Sequence, residues 1–465
     1  MAVWSEVKYS YLNFASRIDG EYFSPNYLLN EQLIRKLDTK PLPFAFSVSD
    51  GNHLEVSQAF TEKINGIPYF RGKDINDFFL ENASPIRIPF SVFNTQQMQR
   101  SHFKANDVLL SIVGTIGSVS IVPETIGLAT GSCKIAILRE KGFINPHFLA
   151  AFLLSKYGKF QIERNTRGAV QMGLILKDLV HIRIPIISKA DEEEIAKLVS
   201  NAISANQKSK KLYIEAQETL EQELGLDKLN FEKPVGYEAS FSEAMLSLRT
   251  DAEYFQPKYL KLIRTLLKRS ESNGVNPYKV KEILKTSPKY GTSTKLKYLN
   301  EGVAFLRIAD LSDLKFEKDN LKYISWKDAI LEKAAQVKTD DILISRSGTL
   351  GLTICIPNEL DGSVFGSYFI KLQLNGTINP LYFSFYMNSL AGKMQVERYN
   401  TGGIQTNLTI PAIESFLIVP LKRKKENQIL ELIKKSEDFL KESKQLLEKA
   451  KQMVEDLIEQ AARET

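Results

Sequence analysis

The chain of 465 residues is poor in cysteine and histidine, with two of the first and four of the second. Cys133 and Cys355 do not stand at matching positions of the two halves of the chain, and the histidines are scattered singly, so two matching zinc sites are excluded. No apolar run approaches the ~20 residues that cross a bilayer. The first residues, M-A-V-W-S-E-V-K, lack a basic segment followed by an apolar one. We therefore expect a cytoplasmic protein without a signal peptide or a membrane span.

The motifs of common enzyme classes are also missing. There is no G-x-x-x-x-G-K-[ST] phosphate loop and no G-x-S-x-G serine, so neither ATP hydrolysis nor serine-hydrolase chemistry is predicted. The Asn-Pro pairs at Asn145 and Asn379 resemble the N-P-P-Y/F motif of amino-methyltransferases only faintly, and they predict helix starts instead. Asp107 and Asp341 stand at strand starts, where a capping or turn role is typical. A nuclease site of scattered carboxylates and lysines stays open, because its spacing is loose.

What the chain does contain is a repeat of itself. Residues 17–28 (R-I-D-G-E-Y-F-S-P-N-Y-L) return as residues 249–260 (R-T-D-A-E-Y-F-Q-P-K-Y-L), with eight identities in twelve positions at an offset of 232. Residues 106–123 return as residues 340–357, with seven identities in eighteen positions at an offset of 234. One unit has been duplicated, and a duplicated unit can present two similar surfaces about a pseudo-two-fold axis.

Each half has short β-branched runs broken by Gly, Pro and Asn, followed by a charged helical stretch. Residues 108–113 and 118–122 flank a G-T-I-G turn, and residues 342–356 repeat the pattern around G-T-L-G, which predicts strand, tight turn, strand. Proline in the first turn predicts helices over residues 146–157 and 380–390.

Two stretches have coiled-coil character. Toward the end of the chain, apolar or small residues recur at steps of three and four: Ile429, Leu432, Ser436, Phe439, Ser443, Leu446, Ala450, Met453 and Leu457. A weaker seam between Asp191 and Leu224 carries Ile195, Val199, Ala202, Tyr213, Ala216 and Leu220, with polar Asn206 and Ser209 at its centre. Two such helices can cover each other, and we expect an antiparallel pair, each about 50 Å long at ~1.5 Å per residue. Two exposed helices, each packed on its own domain, are the alternative.

Polar residues on loops recur in both halves and are the better candidates for a function. Arg, Asn and Gln pair with base edges, while Arg, Ser, Thr and backbone N–H groups hold phosphates. The candidate contacts of this kind are Arg71, Lys73, Thr115, Arg164, Arg167, Gln171, Arg307, Arg346, Thr349, Arg398 and Gln405. A structural role stays open for each of them, and the net charge of +6 permits nucleic-acid binding without requiring it.

The order of these motifs resembles the specificity (S) subunit of Type I restriction-modification systems. The series is R-x-D-[AG]-E-Y-F-x-P, G-[IV]-x-[YF]-[LF]-R-x-x-D-[IL], D-[VI]-L-[LI]-S-x-x-G-T-[IL]-G, I-N-P-x-[FY] and R-x-x-x-G-x-x-Q, closed by a long helix and repeated once. Each motif alone is weak, but the duplicated series is specific and covers nearly the whole chain. The resemblance implies an α+β fold, with two β-rich target recognition domains in pseudo-two-fold symmetry separated by an antiparallel pair of long coiled-coil helices. The expected boundaries are 1–187, 188–226, 227–420 and 421–465.

The resemblance also implies a non-catalytic role without a cofactor. Each domain would read one half of a split site in double-stranded DNA. The helices would set the gap between the half-sites and dock two methyltransferase (M) subunits, and restriction (R) subunits would join that complex. Two alternatives stay open: an autonomous DNA methyltransferase or nuclease, and a coiled-coil scaffold without a DNA role.

Two domains that recognise different DNA sequences should differ in the residues that contact the bases. Base-reading residues are therefore predicted in loops that do not match between the halves, which are residues 95–104 and 287–297. The candidates there are Gln96, Gln97, Gln99, Arg100, Lys289, Tyr290, Thr292 and Lys295.

Overall fold

The protein divides into two compact units, Met1–Ser209 with Asp438–Thr465, and Lys210–Glu437. The computed structural model describes residues 4–9, 12, 17–61, 65–80, 86–168, 172–231, 236–247, 249–312, 314–316, 320–400 and 407–464. Both units combine helices with several small sheets, so the predicted α+β class is confirmed.

The first unit contains ten short strands: β1 (Thr39–Pro41), β2 (Phe46–Asp50), β3 (Ile67–Phe70), β4 (Phe78–Phe79), β5 (Ile86–Ile88), β6 (Val108–Ser111), β7 (Val119–Ile121), β8 (Thr130–Gly131), β9 (Ile135–Glu140) and β10 (Arg183–Pro185). Its helices are α1 (Pro25–Arg35), α2 (Leu42–Ala45), α3 (Phe90–Phe93), α4 (Pro146–Leu154), α5 (Lys156–Arg164) and the start of α6 (Lys189–Leu224). The strands form sheets in the orders β2-β9-β6-β7-β4, β5-β3-β8 and β1-β10.

The second unit repeats this plan. Its strands are β11 (Tyr278–Lys279), β12 (Lys289–Tyr290), β13 (Val303–Leu306), β14 (Leu311–Ser312), β15 (Lys315–Phe316), β16 (Lys322–Ile324), β17 (Ile342–Ser345), β18 (Thr353–Cys355), β19 (Val364–Phe365), β20 (Phe369–Leu372) and β21 (Leu417–Ile418). Its helices are α7 (Phe241–Ser247), α8 (Pro257–Asn273), α9 (Trp326–Leu331), α10 (Pro380–Asn388), α11 (Leu390–Tyr399), α12 (Ile410–Glu414) and the start of α13 (Arg423–Glu464). The orders β12-β20-β17-β18, β16-β13-β19 and β11-β21 correspond to the sheets of the first unit.

The central strand of each unit is buried on both faces, which explains its continuous apolar run. Successive side chains of a strand point to opposite faces of the sheet. In β6, Val108 and Leu110 join the core that contains α4, whereas Leu109 joins the core on the other face. In β17, Ile342 and Leu343 divide between two cores in the same way. Strands buried on both faces lack the alternation of half-buried ones.

The two glycine turns confirm the predicted strand–turn–strand segments. Gly114 and Gly117 have φ values of 89° and 90°, and Gly348 and Gly351 have values of 74° and 78°. Side chains with a Cβ rarely adopt this left-handed region, so glycine is required at these positions. The strands that flank the turns are paired antiparallel, Leu110 with Val119 and Ile344 with Thr353.

The helices after the two Asn-Pro pairs begin where they were predicted but end earlier. The Asn145 and Asn379 side chains accept backbone N–H bonds at the helix starts, so both are capping residues. The predicted helices 146–157 and 380–390 each break at a serine, Ser155 and Ser389, whose backbones are extended. A second helix follows at once and folds back against the first, and a glycine in its first turn, such as Gly158, permits the close approach.

The two long helices run antiparallel. Within the first unit, Ser443 of α13 donates a hydrogen bond to the Ala202 carbonyl of α6 at 2.7 Å, and the Lys208 Nζ of α6 lies 5.5 Å from the ring centroid of Phe439 in α13. A later position in α6 therefore contacts an earlier position in α13.

The buried stripes of the long helices follow the sequence prediction only in part. In α6 the buried residues are as predicted, except Tyr213, which is half-buried. In α13, Ile429, Ser436, Ser443 and Ala450 are buried as predicted. Positions 432, 446, 453 and 457 are half-buried instead, and the residues that follow them, 433, 447, 454 and 458, are buried in their place. One set of the predicted heptad positions therefore lies in the buried stripe and the other set at its edge.

Within the part of the chain that the structure describes, no helix has the length and apolar content needed to cross a membrane.

The helix–helix turn at Gly158 yields a stability prediction. A Cβ at this position would overlap the backbone of Phe152 and Leu153, so Gly158→Ala must force the two helices apart. We expect the free energy of unfolding to fall by about 1–3 kcal/mol, as for other overpacked sites. Urea-induced unfolding of the full chain measures it. Gly20→Ala is the matched control, since nothing lies within 4 Å of a Cβ there. Equal stability of the two variants would contradict the close packing.

Candidate nucleic-acid interface

The R-x-D-x-E-Y-F motif of the first unit holds a tyrosine ring between two guanidinium groups. The Cζ atoms of Arg17 and Arg164 lie 4.5 Å and 4.2 Å from the centroid of the Tyr22 ring. The Nε of Arg164 donates to the Tyr22 carbonyl at 3.0 Å, and its Nη1 pairs with Glu31 at 2.8 Å. Arg164 is only 8% exposed. We call this arrangement the first clasp.

The second unit builds the same clasp from the repeated motif. Arg249 and Arg398 lie 4.7 Å and 4.2 Å from the centroid of the Tyr254 ring, and the Nε of Arg398 donates to the Tyr254 carbonyl at 3.2 Å. Arg249 is also paired with Asp251. A guanidinium stacked on an aromatic ring is stabilised more strongly as it is desolvated, so both clasps hold the motif to the turn that follows a helix.

The pKa values of ionisable groups in and beside the clasps are shifted in the direction expected from their contacts. The hydrogen bond from Arg17 lowers the pKa of Asp19, and the one from Arg249 lowers the pKa of Asp251. Burial, assisted by the hydroxyl of Tyr399, raises the pKa of Tyr254 to about 12. The clasp carboxylates are therefore charged and the Tyr254 hydroxyl is neutral across the physiological range.

The early-strand arginines also contact the protein itself. Arg71 binds Asp74 through its backbone N–H and through its Nε, the latter at 3.2 Å, and Arg307 binds Asp310 in the same way. The Thr115 hydroxyl donates to the Gly72 carbonyl at 2.9 Å, which joins this turn to the first glycine turn.

The remaining candidates of the shared set have varied surroundings. Arg167 pairs with Asp178 at 2.8 Å, and Lys73 and Thr349 are exposed. Gln171 and Gln405 lie outside the described residues. Most arginines that recur in both halves are thus engaged in holding each unit together.

The loop of residues 96–101 lies beside the end of β2 in the first unit. Arg100, with a side chain 56% exposed, pairs with Asp50 at 3.0 Å, and Asp50 also contacts His53. Gln96, Gln97 and Gln99 are exposed around this pair. We define the first loop face as residues 50–57 with 90–101. It is rich in amides, which are donors and acceptors at once.

The equivalent face of the second unit is built from two other stretches. The loop after β12 contacts the region after α9 through Thr294, whose hydroxyl donates to Glu332 at 2.6 Å. We define the second loop face as residues 289–299 with 326–335. The stretches 95–104 and 287–297 therefore differ in position as well as in sequence, since the first follows α3 and the second contains β12, which pairs with β20 as β2 pairs with β9.

The second loop face has a different chemistry from the first. Lys289, Tyr290 and Lys295 are exposed, and Thr292 is half-buried, with its hydroxyl accepting a bond from the Thr294 N–H. The guanidinium of Arg346 lies 4.8 Å from the Tyr290 ring centroid, and its Nε is buried without a hydrogen-bond partner among the described residues.

The carboxylates at the two strand starts are structural. Asp107 accepts the Lys104 N–H in a turn and pairs with Arg139 at 2.7 Å, which raises the pKa of that arginine. Asp341 occupies the same turn and faces the buried Lys371 at 3.8 Å. Among the described residues, no group of three or more His, Cys, Asp or Glu could hold a metal ion.

The resemblance noted from the sequence is confirmed by comparison with known proteins. Residues 54–217 match the family described as the Type I restriction modification DNA specificity domain. The chain is similar to the Type I restriction enzyme EcoBI specificity subunit of Escherichia coli, at 30% identity over 135 residues, which is 29% of this chain and 28% of that relative.

Two solved structures are similar over most of the chain at low identity. The Type-I restriction-modification system S subunit from M. genitalium is 16% identical, with 90% of this chain and 95% of the other covered and a TM-score of 0.43. The HsdS subunit from Thermoanaerobacter tengcongensis is 14% identical, with 92% and 97% covered and a TM-score of 0.29. The similarity to the family therefore rests on the sequence matches, which cover part of the chain and about a quarter of the length of the EcoBI subunit.

The first clasp predicts that Arg164 stabilises the fold, whereas a cation that only contacts DNA would not. Removing the buried Arg164 leaves Glu31 without this partner and the Tyr22 carbonyl without its donor, so Arg164→Ala should lower the free energy of unfolding by about 3 kcal/mol. Thermal unfolding of the full chain measures this. Lys73→Ala removes an exposed cation and should change stability by less than about 0.5 kcal/mol. Equal stability of the two variants would show that the clasp does not hold the unit together.

Proposed function

We propose that this chain is the non-catalytic DNA-specificity subunit of a Type I restriction-modification complex. Each unit reads one part of a bipartite site in double-stranded DNA. The long helices fix the gap between the parts and dock two methyltransferase subunits, and restriction subunits join through that complex.

The observation that supports this proposal most strongly is that the two units share a fold but differ in the chemistry of their loop faces. Both units have the same sheets, glycine turns and clasps, yet the loop face is amide-rich in the first and rich in lysine and aromatic residues in the second. Base identity is read from the pattern of donors, acceptors and methyl groups on base edges, so different words require different faces. A scaffold without a DNA role would have no reason for this contrast.

Within this proposal the candidate residues divide by role. Gln96, Gln97, Arg100, Lys289, Tyr290, Thr292 and Lys295 read or approach bases on the loop faces. Lys73, Thr349 and Arg346 are available for phosphates. The clasp and turn arginines Arg71, Arg164, Arg167, Arg307 and Arg398 hold the frame that positions the loops. Phosphate contacts orient a protein on the duplex, whereas base contacts give it specificity.

Catalysis is assigned to partner subunits. The Asn-Pro side chains cap helices, and the strand-start carboxylates sit in turns, so the groups that most resembled catalytic motifs have structural tasks. The chain then requires no cofactor of its own, and its contribution is to bring a modification subunit to a chosen sequence.

Methylation tests the proposal directly. We expect a cognate modification subunit, supplied with methyl donor and genomic DNA, to methylate a bipartite sequence only when the full chain is added. Mapping modified bases in the host with and without the gene gives the same readout in the cell. Site-specific methylation by the modification subunit alone would overturn the proposal. Methyl transfer by the purified chain alone would favour the autonomous enzyme.

The helices supply a separate test of the gap. We expect a matched pair of heptads, inserted after Ala205 in α6 and after Phe439 in α13, to lengthen the pair by about 10 Å at ~1.5 Å per residue. The preferred gap between half-sites should grow by about three base pairs at ~3.4 Å each. Methylation of a library with variable gaps measures it. Seven residues inserted after the exposed Gly376 are the control, and an unchanged gap in the helix variant would rule out the ruler.

A further inference from the structure

Helix α9 on the second loop face exposes three large apolar side chains. Trp326 is 72% exposed, Ile330 is 72% exposed and Leu331 is 74% exposed. Residues at i and i+4 share one side of a helix, so Trp326 and Ile330 form a continuous apolar surface that Leu331 extends. Clustered exposure of this kind marks a contact site more often than isolated apolar residues do.

The fold does not require these three side chains. The helix is fixed by its cap, where Ser325 accepts the Asp328 N–H at 3.0 Å, and by Ala329, which is buried in the core below. Gln336 donates to the Ala329 carbonyl at 3.0 Å and ties the helix to the following turn. Exposing these apolar side chains to water is therefore unfavourable, and no contact within the unit compensates for it among the described residues.

Lysines are frequent in the same part of the chain. Six exposed lysines lie in the stretches that build or border the second loop face, namely Lys289, Lys295, Lys297, Lys322, Lys327 and Lys333. Of the carboxylates in these stretches, Asp328 binds the Ser325 hydroxyl and Glu332 binds Thr294, and the exposed Glu301 stands at the border. Exposed apolar side chains in a lysine-rich region fit a partner that carries many negative charges and also presents apolar groups. This combination suits DNA better than a neutral or basic protein surface.

We infer that Trp326, Ile330 and Leu331 contact thymine methyl groups in the major groove of the half-site that the second unit reads. The inference rests on the proposed function. A short helix fits the major groove, and the thymine methyl group is the one apolar feature on that edge of the base pairs. Lys297, Lys322, Lys327 and Lys333 take the phosphates on either side.

The first unit differs at the corresponding helix. Phe90 of α3 is 55% exposed and Leu54 is 41% exposed, but the first loop face also contains the glutamines and the Arg100–Asp50 pair. This smaller apolar content among amides fits hydrogen-bonding base edges better than a run of methyl groups. The thymine contact should therefore belong to the second half-site only.

The two tryptophans of the chain permit a direct experiment. Trp4→Phe leaves Trp326 as the single tryptophan of the chain. We expect its emission to change when the full chain, assembled with its modification subunit, binds a duplex that carries the mapped bipartite site.

Replacing thymidine by deoxyuridine in the second half-site removes only methyl groups. We expect affinity to fall about fourfold for each contacted methyl, which corresponds to ~0.8 kcal/mol. Trp326→Ala should weaken binding about tenfold and reduce the effect of deoxyuridine, since both changes remove the contact between Trp326 and a methyl group. The same base changes in the first half-site should have less effect. Leu267→Ala, which removes a leucine 44% exposed on α8, is the matched control and should bind normally.

The outcomes separate this inference from the proposed function. Specific binding that is unaffected by Trp326→Ala and by deoxyuridine would overturn the inference and leave the specificity subunit intact. A change of Trp326 emission on adding the modification subunit alone, with no deoxyuridine effect, would overturn it in favour of a protein contact. Loss of all sequence preference in the wild-type complex would overturn both.

Discussion

The structure depends on burying the apolar stripes of two long helices. Each unit takes one end of each helix into its core: Val199 and Val454 lie in the core of the first, and Leu220 and Ile429 in that of the second. A single helix with such a stripe gains little stability alone in water, because most helical stability in proteins comes from packing. The sheets supply the surface on which the helix pair is stable, and the pair supplies the sheets with much of their cover.

Within each unit, the residues that hold the fold together are different from the residues of the loop face. The clasps, the paired aspartates and the glycine turns recur in both halves and fix how the sheets and helices pack. The loop faces lie where few of these contacts reach, so their side chains can change without affecting the core. The difference between Gln97 on one face and Trp326 on the other is an example of such freedom.

The sequence predicted the repeat, the central strands, the helix starts and the long helices, because these depend on local spacing. It did not predict that Arg164 and Arg398 would hold tyrosines about 140 residues away, since that pairing arises only on folding. The repetition of both partners in both halves was the signal that could have suggested it. In α13 several seam positions were one residue off, because apolar residues stand side by side there, as in Leu432-Ile433 and Leu446-Leu447, and only packing decides which of the two is buried. The sequence did not single out Trp326 or Ile330, and the fold shows that both side chains are exposed.

The division of the chain has a consequence for its synthesis. Residues 438–464 belong to the first unit, where Lys36 donates to the Ala462 carbonyl and Lys156 pairs with Glu459. At ~5–20 residues per second, a ribosome needs roughly 10–50 s to make the second unit before it delivers these residues. During that time the first unit exposes the apolar side of α6. The apolar side of α6 in this unit is covered only after α13 has been made, so the unit that is begun first is completed after the second.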